Sequence, residues 1–256
     1  MLKIAFYGKG GIGKSTTASN VAYALAKEGH TVLQIGCDPK ADSTLAFHRD
    51  RPLTPLLHAM RQKGPAIPLE EAVMQTPSGV YCVEAGGPMP GLGCAGRGIG
   101  MVLEYLDKNQ AITKLGIDCV LYDVLGDVVC GGFSMPMRKG YANEVVILTS
   151  GEAMSLYAAK NIAEAIHNFA GRGYARLGGL IHIERGFDGE EEAVRAFAQS
   201  LTTRILACIH HNSLVNEAAR NASLVLEAYP ESTTAQEYTL LAKTLWQTFA
   251  HTTHNG

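Results

Sequence analysis

The sequence has almost no net charge, no long hydrophobic run and no closely spaced cysteine pair. Its 22 Lys and Arg residues nearly balance 24 Asp and Glu residues, so the formal net charge is -2. Because such a chain carries no strong basic field, we do not expect nucleic acid as a partner. No apolar run approaches the ~18 residues that span a bilayer, so we expect no membrane partner either.

The six cysteines are scattered, and none belongs to a CxxC pair. The first residues, MLKIAFYGKGG, are apolar too briefly for a secretory leader, so we expect a cytoplasmic protein in a reducing compartment. In that setting thiols serve packing or metal binding rather than disulfides. Cys94, in the stretch GCAGRG, has no second cysteine and no histidine close to it. The function of Cys94 therefore has to be inferred from other motifs in the sequence.

Short apolar runs alternate with stretches of helical periodicity along the 256 residues. The runs are too short for helices and too continuous for a half-exposed antiparallel sheet, so they predict buried parallel strands. Strand and helix in alternation predict an α/β fold, a doubly wound and mostly parallel sheet with helices on both faces. No low-complexity linker interrupts the pattern, so we expect residues 1–256 to form a single domain. The predicted strands are KIAFYG, TVLQIG, VYCVEA, DCVLYDV, NEVVILTS, RLGGLIHI and RILACI, and the predicted helices are 14–27, 98–109, 154–170, 190–201 and 234–248, with one short helix in the proline-rich segment 50–79.

The stretch GKGGIGKS, residues 8–15, follows the first predicted strand and opens the first predicted helix. It matches the phosphate-loop pattern G-x-x-x-x-G-K-[ST] at every fixed position. Its glycines let backbone N–H groups turn inward, and the helix N-terminus adds a positive dipole. We predict that Lys14 pairs with the β- and γ-phosphates and that Ser15 ligates Mg²⁺. The predicted nucleotide-binding residues of this stretch are Gly8, Lys9, Gly10, Gly11, Gly13, Lys14, Ser15 and Thr16.

Two acidic stretches follow other predicted strands. In GCDPKADST, Asp38 and Asp42 sit where a carboxylate could hold a magnesium-bound water or orient the attacking water, and Lys40 joins the nucleotide-binding set. In YDVLGD, Asp123 occupies the place of a Walker B acid, and Gly126 is placed to sense the γ-phosphate. Each stretch alone is typical of a plain turn. Beside a complete phosphate loop, the catalytic interpretation is favoured.

Lys9 adds a second lysine to the phosphate loop. The pattern K-G-G-x-G-K-[ST] resembles the deviant Walker A motif of a family that includes nitrogenase iron proteins, chromosome-partitioning ATPases, division-site ATPases and arsenite-pump ATPases. The resemblance implies a P-loop NTPase in which Lys9 reaches across a dimer to the nucleotide of the partner subunit. A lysine this close to the phosphates could equally supplement the local charge.

A narrower resemblance rests on EAGGPMPGLGCAGRG and YDVLGDVVCGGF, taken with YGKGGIGKSTT and GCDPKADST. These stretches are similar, in order and approximate spacing, to those of the nitrogenase iron protein family, from about residue 3 to about residue 180. Partitioning and division ATPases lack both glycine-flanked cysteines. A 4Fe-4S cluster needs about four thiolates, and one chain offers two such cysteines. The resemblance thus implies one cluster that bridges a homodimer through Cys94 and Cys130 of each subunit.

The same resemblance implies an ATP-hydrolysing reductase component. MgATP hydrolysis would be coupled to single-electron transfer to a separate catalytic protein that carries its own metal clusters or cofactor. A low-potential donor such as ferredoxin or flavodoxin would reduce the cluster. Because Asp123 and Cys130 share one short segment, a γ-phosphate that shifts Gly126 would also move a cluster ligand. The predicted catalytic residues are Lys9, Lys14, Asp38, Asp42 and Asp123.

Departures from the family pattern leave the partner open. Family members carry LICNSRN, whose asparagine contacts adenine, where this chain has LIHIERG, so Ile183 offers no amide to the base. Together with the end of the chain at Gly256, this favours a nitrogenase-like reductase, serving tetrapyrrole, nickel-porphinoid or sulfur-compound reduction, over dinitrogenase. Two other classes stay open. One is a partitioning or division-type positioning ATPase without electron transfer, and the other is an iron–sulfur carrier, whose relatives use a C-terminal CxxC that this sequence lacks.

The other polar and thiol groups are expected to be structural. No cysteine or carboxylate spacing completes a metal site around the histidines His182, His210 and His211. Residues 190–192, three consecutive glutamates, are expected to form a solvated first helical turn favoured by the helix dipole. The cysteines expected to pack as small hydrophobic groups are Cys37, Cys82, Cys119 and Cys208.

Overall fold

A computed structural model describes residues 1–49, 51–87, 95–126, 134–138, 140–169 and 172–250. An eight-stranded sheet runs through this part of the chain, in the strand order β3-β4-β2-β5-β1-β6-β7-β8. Every neighbouring pair is parallel except β3 and β4. The strands are β1 (Leu2–Gly8), β2 (Val32–Gly36), β3 (Met74–Gln75), β4 (Tyr81–Glu84), β5 (Cys119–Asp123), β6 (Glu144–Thr149), β7 (Arg176–Ile183) and β8 (Ile205–Ile209).

Helices cover both faces of the sheet, as the alternation of strand and helix predicted. Of the described elements, the two-residue β3 and the helices α5, α8 and α9 were not predicted, and segment 50–79 holds two short helices instead of one. The helices are α1 (Lys14–Lys27), α2 (Leu56–Lys63), α3 (Leu69–Ala72), α4 (Ala95–Lys108), α5 (Ala111–Lys114), α6 (Ala153–Phe169), α7 (Glu190–Ser200), α8 (Ser213–Arg220), α9 (Val225–Ala228) and α10 (Thr233–Phe249).

The hydrophobic core forms two layers, one on each face of the sheet. One layer packs the sheet against α2, α4, α6 and α7, and the other packs it against α1, α8, α9 and α10. The central strands β2, β5 and β6 are buried along their whole length, as expected when helices cover both faces of a parallel sheet. The doubly wound α/β prediction is therefore confirmed.

The register of the strands places the residues of the candidate site next to one another. Phe6 pairs with Asp123 across β1 and β5, and Asp123 pairs with Gly36 across β5 and β2. Gly36 in turn pairs with Glu84 across β2 and β4. The carboxyl ends of these four strands thus lie side by side at one edge of the sheet, where open α/β sheets bind ligands. None of the described helices is long and apolar enough to cross a membrane.

Candidate nucleotide site

The phosphate loop runs from the end of β1 to the start of α1. Gly8, Gly11 and Gly13 have positive φ angles of 148°, 74° and 112°, which side-chain-bearing residues rarely adopt. A Cβ on Gly8 would overlap the carbonyl oxygen of Leu148 on β6. Added Cβ atoms on Gly10, Gly11 and Gly13 would instead meet no atom of the described chain within 4 Å. The loop is therefore anchored at its first glycine and open beyond it, as a phosphate cradle must be.

Lys14 opens α1 and lies almost entirely within the loop, with 8% of its surface exposed. Its Nζ donates hydrogen bonds to the carbonyl oxygens of Gly8 at 3.1 Å and Lys9 at 3.2 Å. The Lys9 backbone also accepts the Ile12 N–H at 3.2 Å, which closes the turn of the loop. The ammonium group is thus held over the cradle, where it can meet an anionic phosphate.

Gly126 lies directly against the phosphate loop. A Cβ at this position would stand 2.7 Å from the Gly10 nitrogen and 3.1 Å from Lys14 Nζ. No real side chain could fit there without a shift of the loop. The structure thus places the predicted γ-phosphate sensor in contact with the groups predicted to bind that phosphate.

Asp123 ends β5 and is buried, with 2% of its surface exposed. Burial raises the pKa of this carboxyl, whereas the Ser15 and Ser43 hydroxyls and the Lys14 ammonium act in the opposite direction. Its Oδ1 is buried and has no hydrogen-bond partner among the described residues. Carboxylate and hydroxyl oxygens are what Mg²⁺ prefers, so Asp123 and Ser15 fit a magnesium ion or its bound water.

The 38–44 loop carries the second acidic stretch. Asp38 is half-buried, and its Oδ1 accepts the backbone N–H of Lys40 at 2.9 Å. Ala41 has a positive φ of 54°, a left-handed backbone conformation that residues other than glycine rarely adopt. Asp42 is exposed and lines, with Ser15, a cavity of about 140 Å³ beside α1. The structure therefore brings Asp42, Ser15 and Asp123 to one site, and it leaves the Lys40 side chain in solvent.

A buried polar network beneath this loop was missed by sequence reasoning. Gln34 Nε2 on β2 donates to Ser19 Oγ and Ser43 Oγ, both at 3.0 Å. Glu84, at the end of β4, accepts hydrogen bonds from Thr44. A glutamine and a glutamate inside the apolar runs TVLQIG and VYCVEA were the available signals, because a buried strand carries such residues only when they are satisfied.

The predicted cluster ligands, Cys94 and Cys130, lie outside the described residues, so their arrangement stays a prediction. α4 begins at Ala95, the residue that follows Cys94 in the sequence. Of the described cysteines, Cys37, Cys82 and Cys119 are free and fully buried, and burial raises the pKa of each thiol. These three pack as small hydrophobic groups, as expected.

Cys208, His182 and His210 each contact a polar side chain. His182 Nδ1 lies 3.5 Å from Cys208 Sγ, and His182 Nε2 lies 3.3 Å from Glu190 Oε1. His210 Nδ1 lies 2.6 Å from Glu237 Oε1, and that hydrogen bond raises the pKa of the imidazole. Across the described ranges, no group of three or more potential ligands could hold a metal ion.

The expectation of a solvated turn at residues 190–192 is wrong for its first residue. Glu190 is buried, with 3% of its surface exposed. Its carboxylate accepts the backbone N–H groups of Gly151, Arg185 and Gly186. A sequence of three glutamates gives no sign that two loops close over one of them. Ile183, predicted to stand where family members carry an adenine-contacting asparagine, is 8% exposed and packs in the core layer of α1 and α10.

Comparison with known proteins identifies the family. The model for 4Fe-4S iron–sulfur cluster binding proteins of the NifH/frxC family matches residues 2–253. The chain belongs to this family. The match extends well beyond residue 180, where the recognisable motifs end. Membership makes the chain an ATP-hydrolysing oxidoreductase component whose cofactors are a 4Fe-4S cluster and MgATP, as the sequence resemblance implied.

Similar proteins agree with that placement. A nitrogenase iron protein from Methanospirillum hungatei is 48% identical over 246 residues, which cover 95% of this chain and 87% of the relative. Among solved structures, the Pyrococcus furiosus cell division ATPase MinD has a TM-score of 0.74 at 21% identity, and the match covers 96% of this chain and 99% of the other. A ParA family ATPase from Chlorobium tepidum has a TM-score of 0.73 at 16% identity, with 94% and 98% covered. The last two likenesses show the fold alone.

Proposed function

We propose that this protein is an ATP-dependent electron donor. It acts as a homodimer with one 4Fe-4S cluster held by Cys94 and Cys130 of each subunit, and it couples MgATP hydrolysis to single-electron transfer. The observation that carries the proposal is the contact of Gly126 with Gly10 and Lys14, because Gly126 precedes Cys130 by four residues. A phosphate that displaces Gly126 from the loop therefore moves the segment that carries a cluster ligand.

The residues of the phosphate loop have distinct roles in the proposal. Backbone N–H groups of the glycines and Thr16, with the Lys14 ammonium, hold the phosphates. Lys9, which is only half-buried, is free to extend toward a second subunit. Ser15 and Asp123 would hold Mg²⁺ or its water, through the Ser15 hydroxyl and through Asp123 Oδ1, which has no hydrogen-bond partner in the described part of the chain. The bound groups themselves supply a hydrolysable phosphoanhydride and a carrier of one electron.

The acidic loop supplies the water-orienting groups. Asp42 is exposed and shares a cavity with Ser15, so its carboxylate can accept a hydrogen bond from an attacking water. Asp38 is held by the Lys40 backbone N–H and lies next to the buried end of β2. We assign its half-buried carboxylate to a magnesium-bound water or to the attacking water, and the exposed Lys40 side chain to the phosphates.

The electron acceptor is a separate catalytic protein with its own metal clusters or cofactor, and a low-potential protein such as ferredoxin or flavodoxin restores the cluster. We expect no nucleic acid or membrane partner. The replacement by Ile183 favours a nitrogenase-like reductase, although the 48% identical relative is a nitrogenase iron protein. The proposal treats residues 1–256 as one domain, since a single sheet takes strands from both halves of the described chain.

The test is the iron content of protein purified without oxygen. Wild type should be brown and carry about four irons per dimer. Cys94→Ser and Cys130→Ser should each lose the iron and the colour, because each removes two of the four thiolates of the dimer. Cys208→Ser, at a half-buried thiol outside the phosphate site, is the matched control and should keep both. A wild-type protein without iron would favour the positioning ATPase, and full iron in Cys130→Ser would exclude the bridging arrangement.

A further inference from the structure

Glu84 ends β4 and is one of the most deeply buried carboxyl groups described, with 1% of its surface exposed. Its Oε1 accepts two hydrogen bonds from one residue, from the Thr44 backbone N–H and from Thr44 Oγ1, both at 2.6 Å. Thr44 Oγ1 also lies 3.0 Å from His48 Nε2. Thr44 closes the loop that carries Asp38 and Asp42, so one carboxylate oxygen fastens that loop to the sheet.

The second oxygen of Glu84, Oε2, lies in a buried space beside Gly36. Oε2 is buried and has no hydrogen-bond partner within the described part of the chain. A Cβ on Gly36, the neighbouring residue on β2, would overlap this oxygen. The carboxyl group therefore occupies space that exists only because residue 36 is a glycine. A buried carboxyl with an unsatisfied oxygen is costly, and such a cost points to a role beyond packing.

Other titratable groups lie near this carboxyl. Asp123 lies on β5 and Asp42 in the 38–44 loop. The thiols of Cys37, just after β2, and of Cys82, on β4, are also close, and His48 contacts Thr44. Burial raises the pKa of Glu84 to about 7, the Thr44 hydrogen bonds act against that rise, and the Asp123 and Asp42 carboxylates add to it. Near neutral pH this carboxyl therefore changes charge within the nucleotide site.

We propose that Glu84 is a positioning residue that fixes the 38–44 loop, and with it Asp42, against the strand that leads toward Cys94. The inference rests on the proposed function, because it concerns the loop that orients water beside the phosphates. The negative carboxylate holds both Thr44 hydrogen bonds most strongly. A divalent cation held by Ser15 and Asp123 would stabilise that negative form, so the inference predicts that binding of a magnesium nucleotide near pH 7 releases the proton of Glu84.

The experiment uses the anaerobically purified, cluster-containing protein and titrates it with MgADP in a calorimeter. Two buffers of different ionisation enthalpy give the number of protons released. Wild type should release a fraction of a proton near pH 7, and its affinity should rise severalfold from about pH 6 to about pH 8. Glu84→Gln keeps an oxygen for Thr44 and cannot titrate, so the release and the pH dependence should both be lost. Glu231→Gln, at an exposed glutamate, is the control and should behave as wild type.

A second pair of variants tests the tether itself. Thr44→Val removes the hydroxyl at nearly the same volume, whereas Thr44→Ser keeps it. We expect kcat for ATP hydrolysis to fall about tenfold in Thr44→Val, the cost of a hydrogen bond to a charged group, and to be largely retained in Thr44→Ser. Gly36→Ala displaces the carboxyl by the overlap described above and should behave like Thr44→Val. The Thr44 variants keep the inference testable even if Glu84→Gln does not fold.

The outcomes separate the inference from the proposed function. A wild-type protein that binds MgADP and hydrolyses ATP, but whose proton release persists in Glu84→Gln, overturns the role of Glu84 alone. Equal kcat in Thr44→Val and Thr44→Ser overturns the tether. A wild-type protein that binds no nucleotide at all overturns the proposed function and the inference with it.

Discussion

Glu190 is buried, whereas Glu191 and Glu192, which follow it, are exposed. Substitution of Glu190 should therefore lower stability more than substitution of either neighbour. Its Oε2 accepts the Arg185 and Gly186 N–H groups at 2.8 and 2.9 Å, and its Oε1 accepts the Gly151 N–H at 3.2 Å. His182 lies 3.3 Å away on β7. One carboxylate thus joins the loop after β6 to the loop after β7, both at the nucleotide edge of the sheet.

The substitution Glu190→Gln keeps the shape and removes one acceptor. The side-chain NH₂ of glutamine would replace an oxygen that now accepts backbone N–H groups, so donors would face donors. Two hydrogen bonds to a charged group contribute about 1.5 kcal/mol each at the lower end, which gives a loss of about 3 kcal/mol. For a chain of this length, each kcal/mol lowers Tm by about 2 to 4 °C, so we expect a drop of about 10 °C.

The pH dependence has a definite sign. Burial by itself raises the pKa of Glu190, but the Arg185, Gly151 and Gly186 N–H groups and the His182 imidazole outweigh it and leave the pKa below the usual 4.5. A carboxyl with a lowered pKa in the folded state stabilises the protein above its unfolded pKa. That contribution is lost as the pH falls below about 4.5 through the lower folded value. The difference in stability between wild type and Glu190→Gln should therefore shrink on acidification.

The assay is thermal unfolding followed by circular dichroism, at pH 7 and in acid. Glu191→Gln is the matched control, because Glu191 lies in the first turn of the same helix and pairs with Arg195 on the surface, where both side chains are 65% exposed. Such an exposed pair contributes about 0.5 kcal/mol, so Tm should change little. Equal shifts in Tm for Glu190→Gln and Glu191→Gln would refute the reasoning, and so would a Glu190 effect that grows in acid.

The phosphate site gives two further predictions. Gly126→Ala should weaken MgADP binding at least about fivefold in calorimetry, because its Cβ cannot lie 2.7 Å from the Gly10 nitrogen without a shift of the loop that costs ~1 to 3 kcal/mol. Unchanged affinity would contradict the contact. Lys14→Ala should lose nucleotide binding, whereas Asp42→Asn should bind MgADP and hydrolyse ATP more than about tenfold more slowly in a phosphate-release assay. Normal hydrolysis by Asp42→Asn in the presence of the electron acceptor would show that another group orients the water.

Sequence reasoning was strongest where the signal is local. Helix α1 begins at Lys14 and ends at Lys27, the bounds that were predicted, because a glycine loop precedes it and Gly29 follows it. Strand β7 covers Arg176–Ile183, the full length of the predicted run RLGGLIHI. In both cases neighbouring residues carry the information, since periodicity and glycine positions fix where an element starts and stops.

The elements that were missed depend on contacts distant in sequence. β3 has two residues and exists because Met74 and Gln75 pair with β4 at the edge of the sheet. Helix α8 is only eight residues long, with Asn212 as its N-cap, and it packs in the layer of α1 and α10. β3 is too short to show a periodic pattern. Helix α8 is amphipathic, but its eight residues are fewer than the ~12 to 15 that make a helix stable by itself, so tertiary packing selected its conformation.

By itself, the sequence determined the α/β class, the phosphate loop and the family, because each can be recognised from short stretches of contiguous residues. It also named Asp123 and Gly126 from one short segment. Only the tertiary structure decided how Glu84 and Glu190 are used. Glu190 is one of three consecutive glutamates, and the apolar run around Glu84 indicates burial but not its partners. Each is buried because elements far apart in sequence pack over it. Burial depends on the assembled fold, and it brings each of these two carboxylates into hydrogen bonds with loops at the carboxyl ends of the strands.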